Sequence, residues 1–364
     1  METTLRSDTK RTLGGAALSG SVRVMLIDDS LTVRTVFSRM IERESDMTIV
    51  ASASTAERGL EELRRHQADV ILLDLEMPGM GGIEALPKLL KASPRTKVLV
   101  ISSLTAAGAE HTVQALRMGA ADTMLKPRPG GFNDDYRNQL LGKIRALKGF
   151  APYEQPVRAS SKWTERRVGK KPQLLAIGAS TGGIHALNLF LRQVPENFDL
   201  PILITQHLPE SFIPVFAKQM EAASGRRAVL AGEGVEIRRG MIVIAPGHGH
   251  MVVRRKGTQL VTGLAFNPVK SGCTPSVDPM FETAAEACEG KVAGILLSGM
   301  GRDGTDGADA IIGAGGTIYA QNAESCAVWG MPRAVTESGL ASAILPPAEL
   351  ADKILSNAGA DAWR

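Results

Sequence analysis

Short unbroken apolar runs, each followed by a stretch of helical period, recur through most of this 364-residue chain. Runs rich in Val, Ile, Leu and Met, without polar alternation, suit strands of a parallel sheet that helices cover on both faces. In the first half they are Val22–Ile27, Thr48–Ala51, Val70–Leu73, Val98–Ile101 and Thr123–Leu125. Helix-like segments lie near Thr32–Glu44, Ala56–Arg65, Gly82–Lys91 and Glu110–Met118. Five such units predict a flavodoxin-like (βα)5 domain over residues 21–148, with its functional groups beyond the carboxyl ends of the strands. The chain is too long for one ordinary core, so a second α/β domain is expected over 173–357.

Between them, residues 149–172 hold Pro152, Pro156 and Pro172, and the stretch from Arg158 to Lys171 carries six basic residues against one acid, Glu165. That composition predicts a solvated tether. No recognition motif accompanies the basic run, so no nucleic-acid partner is expected. Residues 1–20 read as a disordered tail, with no apolar stretch long enough for a signal peptide. No apolar run is long enough to span a bilayer, so no membrane insertion is expected. Cys273, Cys288 and Cys326 show no metal-ligand spacing and suit a reducing cytoplasm.

The strand ends of the first domain carry its chemistry. The first is followed by Asp28-Asp29, the third by Asp74, the fourth by Ser102-Ser103 and the fifth by Lys126-Pro127. Carboxylates converging at one sheet edge need a cation among them, and hard oxygen ligands with room for water suit Mg²⁺. Asp74, on the central strand before the Met77-Pro78-Gly79 turn, is the natural nucleophile for an acyl phosphate. Singly, each acid is more often a cap or a solvated loop residue; it is the set that points to a site. The segment resembles the receiver domain of two-component response regulators, through Asp28-Asp29, Asp74-Leu75-Glu76-Met77-Pro78, Ser102 and Lys126-Pro127. The resemblance implies that Asp74 is the phosphoacceptor, that Asp29 and Asp74 hold Mg²⁺, and that Ser102 follows the phosphoryl oxygen. Thr123 stands where receivers usually carry an aromatic, which argues against an aromatic rotamer switch.

In the second half, Leu174–Ile177 runs into Gly178-Ala179-Ser180-Thr181-Gly182-Gly183, and a helical pattern follows over His185–Leu191. Strand, Gly-x-Ser-x-Gly turn and helix form the setting of a nucleophile elbow. Alone, such a loop more often binds phosphate or simply packs closely. Its base must come from another strand end. His207 follows Ile202–Gln206, and geometry favours it over His185, just inside the helix. His248 and His250, in a Gly-rich loop, are expected to be solvated. Val292–Leu297 leads into Ser298-Gly299-Met300-Gly301-Arg302-Asp303-Gly304, making Asp303 the candidate orienting acid. An Asp beside Gly is ordinarily a turn residue or cap. Asp306 and Asp309 fit that description better.

Residues 173 to about 350 resemble the catalytic domain of the CheB family of chemotaxis protein-glutamate methylesterases. The matching residues are Gly178–Gly183, Gln206-His207, Pro275-Ser276-Val277-Asp278, Ser298–Gly304 and Gly330-Met331-Pro332. The resemblance implies a triad of Ser180 (nucleophile), His207 (base) and Asp303, with the Met300 amide and Thr181 at the oxyanion site. It implies hydrolysis of glutamate methyl esters on chemoreceptors, deamidation of receptor glutamines, and phosphorylation by a chemotaxis histidine kinase. Mg²⁺ serves the receiver, and the esterase chemistry needs no cofactor. Cys273-Thr274 departs from the His-Arg that many relatives carry before this proline. Two other classes of function remain: a response regulator with a catalytically silent binding module, or one with a transcriptional output. A complete triad separates the enzyme from both.

Overall fold

A computed structural model describes residues 20–103, 105–127, 131–149 and 169–358. The expected tail, apart from Gly20, and most of the tether, residues 150–168, lie outside the described residues.

The first sheet consists of β1 (Val22–Ile27), β2 (Met47–Ala53), β3 (Val70–Asp74), β4 (Lys97–Ser102) and β5 (Asp122–Leu125). All its pairings are parallel, in the order β2-β1-β3-β4-β5. Helices α1 (Leu31–Glu42), α2 (Ala56–Arg65), α3 (Gly82–Ala92), α4 (Ala106–Arg117) and α5 (Asp134–Lys148) connect and cover the strands. Side chains start most of them: Ser30, Thr55, Thr105 and Asn133 each accept a first-turn amide. β3 is buried along its whole length, as an apolar run at the sheet centre requires. Its register sets Ile27 beside Leu73 and Asp74 beside Ile101, so the polar residues at the strand ends arrive at one edge.

The second sheet has seven strands: β6 (Leu174–Ala179), β7 (Ile202–Gln206), β8 (Ala228–Leu230), β9 (Ile242–Ile244), β12 (Val292–Leu296), β13 (Thr317–Gln321) and β14 (Ala343–Leu345). Their order is β14-β13-β12-β6-β7-β9-β8, again entirely parallel. Helices α6 (Gly183–Gln193), α7 (Ile213–Ser224), α8 (Val277–Ala287), α9 (Thr305–Gly313), α10 (Met331–Glu337) and α11 (Pro347–Ala358) complete it. The chain leaves the sheet once, for the antiparallel hairpin β10 (His250–Lys256) and β11 (Gln259–Ala265). β12, β6 and β7 are neighbours, with Leu296 beside Gly178 and Ala179 beside Gln206. That adjacency delivers three loops distant in sequence to one place.

The two sheets' layers are packed together. α4 lies against α6 and α7. Val328, from the loop before α10, is buried among first-domain core residues such as Leu99, Ile101 and Met124.

Candidate active site

Ser180 sits in the turn between β6 and α6. Its amide donates to Ser298 O at 3.0 Å, and its carbonyl accepts from Gly183 N at 2.8 Å and Gln206 Nε2 at 2.9 Å. The turn needs Gly182, which has φ +78°; a Cβ there would also stand 2.5 Å from Ala327 Cβ. Gly299 answers a different need, since a Cβ on it would lie 2.8 Å from Ser180 Cβ. Ser298, Gly299 and Met300 can therefore run close beside Ser180. Among the described residues, the Met300 amide donates no hydrogen bond within the protein.

His207 follows β7, its amide fixed on Ala179 O at 3.0 Å. Its Nε2 meets Asp303 Oδ2 at 2.7 Å. Asp303 is buried, and it accepts two further hydrogen bonds, from Ser276 Oγ to Oδ1 at 2.6 Å and from Val277 N to Oδ2 at 2.7 Å. Burial works against its charge, but His207, Ser276 and Val277 together hold its pKa down to about 2. Burial likewise opposes the imidazolium. The hydrogen bond to Asp303 and the neighbouring Cys273 sulfur nevertheless hold the His207 pKa up at about 9. Beside Asp303, burial and the neighbouring carboxylate push Asp278 up to about 7.

Ser180 and His207 line the same narrow cleft. Among the described residues, the Ser180 hydroxyl makes no hydrogen bond to the imidazole. Leu116, Ala120, Ala121 and Asp122 of the first domain form the opposite wall. The room left for the centre of a water molecule is ≈ 10 Å³, enough for about one water and far too little for a glutamyl ester. Thr181 Oγ1 donates to Asp122 Oδ2 at 2.6 Å, so in this arrangement its hydroxyl is directed at the first domain rather than at the serine. His185 lies within hydrogen-bonding distance of Arg117 O, at 3.0 Å from Nδ1, and does not reach Asp303.

One expectation is overturned. His250 is buried rather than solvated, because it begins β10 and lies under the loop before α8. Its Nδ1 accepts the Ser276 amide at 3.0 Å, and its Nε2 lies 3.1 Å from Asn267 O. Those partners fix the tautomer with the proton on Nε2. His250 thereby braces Ser276, which braces Asp303. His248 is exposed and pairs with Glu210 at 2.9 Å, while Asp306 pairs with the exposed Lys270 at 2.6 Å. Sequence reasoning did not reach the roles of Ser276, His250 or Asp122. The Pro275-Ser276-Val277-Asp278 block was the available signal for the first.

At the edge of the first sheet, Lys126 Nζ donates to Asp74 Oδ2 at 2.6 Å and lies 3.6 Å from Asp28 Oδ2. Asp74 Oδ1 accepts the Glu76 amide at 3.0 Å, and Asp28 Oδ1 accepts the Ser30 amide at 2.8 Å. Burial pushes Asp74 up to about 6, despite Lys126 and the Glu76 amide. Carboxylate oxygens of Asp28, Asp29 and Asp74 lie within 4.8 Å of one another, and Asp29 is exposed. Buried Asp28 Oδ2 and Ser102 Oγ have no hydrogen-bond partner. This all-oxygen set, open to solvent at Asp29, fits Mg²⁺. Thr123 is buried at the neighbouring strand, and its hydroxyl likewise has no hydrogen-bond partner.

Comparison with known proteins agrees with both halves. The family model "CheB methylesterase" matches residues 175–354, and "Response regulator receiver domain" matches residues 24–131. A protein-glutamate methylesterase/protein-glutamine glutaminase of Paramagnetospirillum magneticum is 40% identical, over 92% of this chain and 96% of its own. Another from Caulobacter vibrioides is 41% identical, over 93% of this chain and 99% of its own. The crystal structure of the Thermotoga maritima CheB methylesterase catalytic domain is 33% identical and superposes with a TM-score of 0.50, covering 51% of this chain and 98% of that one. The chain thus belongs to the CheB methylesterase family, with a response-regulator receiver domain preceding the catalytic part.

Proposed function

We propose that this chain is a phosphorylation-regulated protein-glutamate methylesterase that also deamidates protein glutamines. The observation that carries this reading is the 2.7 Å contact of His207 with buried Asp303, in a cleft that also holds Ser180 at a strand–turn–helix elbow. Ser180 Oγ attacks the γ-ester carbonyl of a receptor glutamate while His207 takes its proton. With Asp303 accepting from Nε2, the neutral ring carries its lone pair on Nδ1. The tetrahedral oxyanion is met by the Met300 amide, with the backbone at Thr181 in support. The proton returns to the leaving methoxide, methanol departs, and water repeats the sequence on the acyl-enzyme. A glutamine amide follows the same course and releases ammonia.

Control comes from the receiver, whose residues Leu116 to Asp122 wall off the serine. Asp74 accepts a phosphoryl group from a chemotaxis histidine kinase. Asp28, Asp29 and Asp74 would hold Mg²⁺, which supplies positive charge against the incoming phosphoryl oxygens, and Lys126 adds a second cation. Phosphorylation weakens the docking and opens the cleft to chemoreceptor segments in the cytoplasm. The substitution Ser180→Ala tests the chemistry. It should give a folded chain whose methanol release from methylated receptor membranes falls on the order of 10⁴–10⁶-fold. Near-normal release would remove Ser180 from the mechanism.

A further inference from the structure

Among the described residues, two groups of side chains bring three metal-ligating atoms within 4.8 Å of one another. One is the all-carboxylate set of the receiver. The other is His207, Cys273 and Asp303, which offers one nitrogen, one sulfur and one oxygen. The chemistry of the two sets differs as hard from soft. Three carboxylates suit Mg²⁺, whereas imidazole with thiolate selects a borderline-soft ion, above all Zn²⁺.

We infer that His207, Cys273 and Asp303 form a binding site for Zn²⁺ or a similar thiophilic divalent cation, and that its occupancy switches the esterase off. The three donors come from loops distant in the chain, and two of them are anchored from behind. Asp303 is clamped by Ser276 and Val277, and the amide of His207 is pinned on Ala179. Cys273 is half-buried and so leaves a side open for entry, unlike the buried Cys288 and Cys326. Tetrahedral Zn²⁺ asks for about 3.3–3.8 Å between donors, given bonds of about 2.0–2.3 Å. The three donors already lie within 4.8 Å of one another, so side-chain rotation of Cys273 and His207 is what would adjust them to that spacing. A metal takes cysteine as thiolate and histidine as neutral imidazole, so binding competes with protons at this site. The metal then takes the lone pair that His207 needs as a base. Inhibition, though not binding, rests on the esterase reading given above.

The two can be tested separately on the full-length chain, with thiols reduced and Mg²⁺ in excess to fill the receiver site. Co²⁺ titration should produce a near-ultraviolet thiolate-to-metal charge-transfer band in the wild type. The band should persist in Ser180→Ala, which retains every proposed ligand, and vanish in Cys273→Ser. Loss of the sulfur should weaken Zn²⁺ binding about 100-fold or more, because removing even an outer partner of a metal ligand costs about 10–100-fold. Zn²⁺ inhibition, taken as each variant's ratio of rates with and without the ion, should weaken in parallel. Cys273→His, with a nitrogen in place of sulfur, should lose the band and keep the inhibition. A wild-type chain without the band, or a band of equal strength in Cys273→Ser, overturns the site. Should the band behave as expected while Zn²⁺ inhibits wild type and Cys273→Ser alike, the inhibitory role is overturned and the site stands. A chain that binds metal but releases no methanol under any condition instead refutes the esterase reading.

Discussion

At the scale of single residues, the proposed triad is held from behind. Asp303 accepts three hydrogen bonds, and the one from Ser276 Oγ is matched by His250 gripping the Ser276 amide. A hydrogen bond to a charged group contributes about 1.5–3 kcal/mol, so Ser276→Ala should lower kcat about 10–100-fold. KM should barely move, since Ser276 is fully buried and lies behind Asp303. Steady-state kinetics on methylated receptors checks this, and an unaltered kcat would leave the orienting to Val277 and His207 alone. The pH dependence follows from His207, whose pKa in the folded chain stands near 9. Because it is raised above the ordinary 6.5, its contribution to stability is complete below about 6.5 and fades as pH climbs through about 9. Activity runs the other way, since the base must be neutral. With chelator present, kcat/KM of the unphosphorylated chain should rise about tenfold per pH unit from 7 towards 9. A flat profile over that interval would contradict the ion pair.

At the scale of elements, the Ser180 turn depends on a backbone that most residues resist. Gly182→Ala would force a Cβ into the left-handed region and against Ala327 and Ser298. The strain alone costs about 1–3 kcal/mol. Urea unfolding should show at least that loss, with activity falling further as Ser180 shifts; wild-type stability would mean the loop yields freely. The parallel strands were legible because their apolar runs are unbroken and their ends carry the polar residues. The hairpin β10–β11 was not, because its first residues belong to what reads as a Gly-rich loop. Burial of Met251, Val252 and Val253 depends on α8, which is remote in sequence. The same blindness misplaced His250: only the fold shows that a strand begins there and that Ser276 lies over it. Ser180, His207 and Asp303 were legible as strand-end residues. Asp122 was not, since its partner Thr181 lies in a turn of the other domain.

For the whole molecule, the receiver covers the cleft that holds Ser180. Asp122 accepts hydrogen bonds from Thr181 Oγ1 and Lys143 Nζ, each at 2.6 Å, so it ties the receiver to the Ser180 turn from a braced position. Asp122→Ala should raise methanol release by the unphosphorylated chain roughly tenfold, because about 1.4 kcal/mol of lost docking changes the open fraction by that factor. The phosphorylated rate should stay near its wild-type value. Equal basal rates in mutant and wild type would separate this contact from control.

Val328 carries the same logic into the apolar interior. It belongs by sequence to the catalytic half and by packing to the receiver's core. Its loop is also stitched to the loop after β12, with Ser298 Oγ accepting the Ala327 and Val328 amides and Gly299 N donating to Val328 O. Fully burying a valine side chain is worth about 1.5 kcal/mol, close to the factor of ten just described. The set point of this enzyme can therefore drift by the trimming of that side chain to alanine, without touching a reacting atom.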